Sequence, residues 1–219
     1  MKLEGAVALV FGADSALGAA VVRGLFARGV AKVYADAPLE SCEISLSRSV
    51  PLFVDIGKQA RAATLARDLT DVTLLVNCLV AEHSIASPHE GSDQPALHPQ
   101  GPTVGRTLKL IDAVAPVLAA NGGGAIVNVM SVLHADQLSA TKAPTNARPL
   151  AEWMLADGLQ GRLAAQRTQL LFFGAQLVVG AGEQMLDDQR ALAAHIATRM
   201  LHQLDAGDGH DRIGFARYR

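Results

Sequence analysis

Directly after the apolar run Ala6 to Phe11, the segment Gly12-Ala13-Asp14-Ser15-Ala16-Leu17-Gly18 sets glycines at both ends of a short turn. Asp36 stands at the end of the next apolar run. Glycines at such a turn let the backbone bend tightly and approach a pyrophosphate. The start of the following helix favours negative charge, and an acid after a second strand can bind ribose hydroxyls. This is the chemistry of a dinucleotide site, and Asp36 would favour NAD over NADP by repelling a 2'-phosphate. Asp14 adds a negative charge near the expected pyrophosphate and is read as a helix cap. A second group lies later: Ser131 ends an apolar run, and His134, three residues on, has an ordinary pKa suited to proton transfer. His83, His89 and His98 are scattered without cysteine or a carboxylate pattern, so no metal site is expected.

These residues need strands and helices to hold them. Short apolar runs at Ala6 to Phe11, Lys32 to Ala35, Pro51 to Val54, Val72 to Asn77, Ala125 to Met130 and Gln169 to Phe173 predict strands. Between and after them, helices are predicted over Ala16 to Arg28, Lys58 to Leu69, Thr103 to Ala120, Pro149 to Gln166 and Leu186 to Leu204. Gly29 closes the first and Pro149 opens the fourth. Ala81 to Gly101, with scattered Ser, His, Pro and Gly, is read as a loop or frayed helix. Strands apolar on both faces and separated by helices require a parallel sheet covered on both sides. The fold class is therefore α/β, a Rossmann-type doubly wound parallel sheet in a three-layer αβα sandwich, with residues 1–219 forming one domain.

Composition narrows the function classes. The 219 residues are 50% hydrophobic and 18% charged, which excludes a disordered chain. A net charge of -2 gives no basic footprint for nucleic acid. No apolar run reaches membrane-spanning length, and Cys42 and Cys78 make no disulfide framework, so a cytoplasmic protein is expected.

With these elements in order, the chain resembles the short-chain dehydrogenase/reductase family along nearly its whole length. The segment from Phe11 to Gly18 falls on the family's TGxxxGxG loop, and Asp55, with Ile56 beside it, falls on an acidic position near adenine. Asn77-Cys78-Leu79-Val80 falls on NNAG, the strand from Ile126 to Ser131 on the strand ending in the catalytic serine, and Phe173-Gly174 on a later PG pair. The resemblance thus implies a cofactor site of Gly12, Asp14, Ala16, Leu17, Gly18, Asp36, Asp55, Ile56 and Asn77.

Departures from the pattern carry the functional expectation. Phe11 replaces the threonine, Ala16 the middle glycine, and Leu79-Val80 the Ala-Gly of NNAG, each adding carbons where a backbone should meet cofactor. Counting from Ser131, the family's proton-exchanging tyrosine falls on Pro144 and its lysine on Arg148. Proline has no proton to exchange, and arginine is a poor proton shuttle. The only tyrosines, Tyr34 and Tyr218, are far from Ser131 in the pattern, and His98 replaces a helical asparagine. The region after Gly174, which covers substrate in the family, is compressed.

The expectation is therefore a degenerate site with Ser131 and Arg148 as vestiges, no cofactor bound, and NAD the cofactor if one binds. In function this predicts a non-catalytic subunit paired with a catalytically active short-chain dehydrogenase. The pair would form a hetero-oligomeric NAD-dependent alcohol or hydroxyacyl-CoA dehydrogenase. The resemblance implies a tetramer built through Thr103 to Ala120 and Pro149 to Gln166, with Trp153 and Met154 among the packing residues and Arg217, Tyr218 and Arg219 as a further contact. Two alternatives stand beside it: an active NAD(H)-dependent oxidoreductase using Ser131 with His134 or water, and an NAD(H)-sensing binding protein.

Overall fold

Four consecutive buried residues in the first strand, flanked by turn residues, can be satisfied only in a sheet covered on both faces. The computed structural model describes residues 1–36, 49–52, 65, 67–78, 102–131, 159–175, 183–206 and 214–216. Its strands are β1 (Val7–Phe11), β2 (Lys32–Ala35), β3 (Ser49–Pro51), β4 (Leu74–Asn77), β5 (Gly124–Ser131), β6 (Thr168–Ala175) and β7 (Gly214–Ala216). All are parallel, in the order β3-β2-β1-β4-β5-β6-β7. The helices are α1 (Ala16–Ala27), α2 (Pro102–Ala120) and α3 (Glu183–Ala206), and residues 159–164 are also helical.

Alternation along the strands divides the core in two. Ala8 and Val10 join Val21 and Leu25 of α1 and Ile196 and Leu201 of α3 in one apolar layer. Leu9 and Phe11 join Leu110, Ile111 and Leu118 of α2, with Leu159 and Leu163, in the other. The expected doubly wound αβα sandwich is the observed fold.

Element positions follow the sequence closely, with two differences. The third strand ends at Pro51 instead of beginning there, because proline has no N–H to donate and is tolerated where an edge strand closes. The Leu52 N–H adds one more bond, to the Ala35 carbonyl at 2.7 Å. Strand β7 was not expected: three residues carry too little alternation to register as a strand. Gly29 does follow the end of α1, its N–H donating to the Phe26 carbonyl at 3.1 Å. Among the described residues, no helix is long and apolar enough to cross a membrane. The Ala81 to Gly101 loop lies outside the described residues, as do Pro149 and the first parts of the predicted Lys58 and Pro149 helices.

Candidate functional site

A parallel sheet gathers the carboxyl ends of its strands on one edge, and the strand order reverses its direction of growth between β1 and β4, the switch point at which open α/β sheets bind ligands. Phe11 and Asn77 stand side by side in register on β1 and β4, Asn77 faces Asn128 on β5, and Ser131 is the last residue of β5. The sheet thereby brings Gly12, Asp36, Asn77 and Ser131 to the same edge.

Three bonds to side chains brace the turn after β1, beside the backbone bond from the Ser15 N–H to the Gly12 carbonyl at 3.1 Å. Gly12 adopts φ 73°, a left-handed conformation that glycine enters freely. Ser15 is extended and caps α1: its hydroxyl accepts from the Gly18 N–H at 3.0 Å and donates to the Gly12 carbonyl at 2.7 Å. This corrects the reading of Asp14 as the cap; Asp14 is exposed, and the shorter serine one residue on has the extended backbone that a capping residue requires. The third bond runs from the Ala13 N–H to Asp36 Oδ1 at 3.0 Å, tying the end of β2 to the turn.

The two glycine positions of the motif differ in kind. A β-carbon on Gly18 would lie 2.0 Å from the Gly12 carbonyl oxygen, so this glycine is required for α1 to pack against the turn. Ala16, at the first position of α1, is exposed. Its methyl lies outside the helix–sheet packing, so alanine there leaves the fold intact and alters only the surface a ligand would meet. Leu17 is buried in the core beneath the turn.

Burial raises the Asp36 carboxyl above its ordinary pKa of 3.8, aided by the nearby Asp14 charge and opposed by the Gly12 and Ala13 N–H groups. The folded state therefore holds this proton more tightly than the unfolded chain does. The contribution of the group to stability is fully present below 3.8 and is lost as pH rises through the folded value. Asp36→Asn keeps an acceptor for Ala13 and removes the buried charge. We expect the variant to melt higher than the parent at pH 7, with the gap closing as pH falls toward 4. A pH series of thermal melts reads this, and a variant that melts lower at neutral pH would mean that the carboxylate is needed in its charged form.

Cys78, just beyond β4, is fully buried, and burial together with Asp36 pushes its thiol up to about 12. It is therefore no nucleophile at neutral pH. Asn77 and Asn128 were legible only in part. Asn77, expected to border a cofactor, donates its side-chain amide to Asn128 Oδ1 at 2.7 Å and to Thr107 Oγ1 of α2 at 3.0 Å. Neither Asn128 nor Thr107 stood out in the sequence, since a polar residue within an apolar strand has a partner only after the sheet is assembled.

Of the two tyrosines, Tyr34 is committed elsewhere. Its hydroxyl donates to Asp71 Oδ1 at 3.0 Å and accepts from Lys32, which also pairs with Asp71. Asp71 precedes β4, so this cluster faces the amino ends of the strands, away from Ser131. Asp55, Ile56, Leu79, Val80, His83, His89, His98, His134, Pro144, Arg148, Trp153, Met154 and Tyr218 lie outside the described residues.

The turn, the first turn of α1 and Asp36 together fit the adenosine and pyrophosphate half of a dinucleotide: Gly12 supplies the tight bend and an acid stands at the end of β2. No protein-family model matches the sequence, and no curated protein matches it. Solved structures do. A short-chain dehydrogenase from Burkholderia cenocepacia in complex with NADP is 25% identical over 100% of this chain and 90% of its own, with a TM-score of 0.67. L-sorbose reductase from Gluconobacter frateurii, complexed with NADPH and L-sorbose, is 14% identical over 99% and 97%, also with a TM-score of 0.67. A structure named ribose-5-phosphate isomerase from Brucella melitensis is 18% identical over 98% and 90%, with a TM-score of 0.66. The chain has the fold of the short-chain dehydrogenase/reductase superfamily.

Proposed function

We propose that this chain is a non-catalytic subunit that pairs with a catalytically complete relative in a hetero-oligomeric NAD-dependent alcohol or hydroxyacyl-CoA dehydrogenase, which it stabilises or completes. The observation that carries this reading is the fate of the proton donor. Pro144 stands where the superfamily's tyrosine is expected, and Tyr34 is tied to Lys32 and Asp71 at the far end of the sheet. Arg148 in the lysine position supplies charge without a usable proton. Fold alone does not decide activity, since one architecture hosts many functions.

A second reading, an active NAD(H)-dependent oxidoreductase, is favoured by the comparisons. The similar structures named above include a dehydrogenase with NADP and a reductase with NADPH, and these back an oxidoreductase more directly than they back an inactive subunit. A bound dinucleotide would supply hydride transfer. Gly12, Leu17 and Gly18 would hold it at the start of α1 and Asp36 at the ribose, disfavouring a 2'-phosphate. Ser131 would hold the substrate oxygen, and His134 or water would move the proton.

Native mass spectrometry of the protein purified from its own host distinguishes the two. The first reading expects a second subunit of similar mass, with nucleotide confined to that subunit. Within such a complex, Ser131→Ala and Arg148→Ala are expected to leave turnover nearly unchanged. A fall of about 100-fold or more, or a homo-oligomer that carries NAD(H) and turns it over, would place catalysis on this chain and favour the second reading.

A further inference from the structure

We draw no further inference here: the strongest candidate, the basic surface patch of Arg23 on α1 and His195, Arg199 and His202 on α3, carries nothing because nothing in the structure shows what covers it.

Discussion

Replacing Gly18 by alanine is expected to destabilise the chain by about 3 kcal/mol or more and to lower Tm by roughly 10 °C. The added β-carbon would stand 2.0 Å from the Gly12 carbonyl oxygen and 2.7 Å from the Ala13 Cα, both backbone atoms. No rotamer change can relieve the clash. Helix α1 must lift away from β1, loosening Leu17, Val21 and Leu25 from the core and breaking the Ser15 cap. The reverse exchange two residues earlier, Ala16→Gly, touches an exposed position and should cost no more than about 1 kcal/mol. Urea unfolding of both variants measures the contrast. Equal midpoints for Gly18→Ala and the parent would mean that the turn tolerates a displaced helix, and the motif would lose its packing explanation.

The second large effect concerns the polar group buried between β4, β5 and α2. Asn77 is 2% exposed and Asn128 6%, and the Asn77 amide donates to both Asn128 and Thr107. Asn77→Ala leaves the Asn128 oxygen buried without this donor and opens a void beside it. Together these predict a loss of about 3 kcal/mol. Removing both asparagines should cost clearly less than the sum of the single changes, because the second substitution deletes the group that the first left unsatisfied. A double-mutant cycle by urea unfolding checks this, and strictly additive losses would show that the short Asn77–Asn128 bond contributes nothing beyond packing.

The sheet was readable because each central strand is apolar on both faces, a pattern only a covered parallel sheet satisfies, and because Gly12 and Asp36 bracket the first strand–helix–strand unit. Its edges were less readable. At β3 the closing proline looked like a beginning, and three residues of β7 gave no periodic signal. At the site, residue types identified the turn but not its wiring: Ser15 rather than Asp14 caps α1, and Asp36 bonds to Ala13 of its own turn. Such short-range choices depend on the φ and ψ of single residues, which composition does not encode. Asn128 and Thr107 could be recognised only once the strands stood in register beside Asn77.

The packing of α1 against α3 bears on how the chain acquires its structure during synthesis. Val21, Val22 and Leu25 share a core layer with Leu192, Ile196 and Leu201, and the amino-terminal ammonium of Met1 donates to the Leu204 carbonyl at 2.7 Å. The first helix therefore finds this neighbour only after the strands of the central sheet between them have been made. Central strand β1 likewise pairs with β2 early but waits for β4 on its other side. Until then the nascent chain carries an uncovered apolar layer, the kind of surface that chaperones shield and that aggregates when left alone. Folding of this architecture therefore depends on contacts far apart in sequence, which slows it relative to chains built from local contacts.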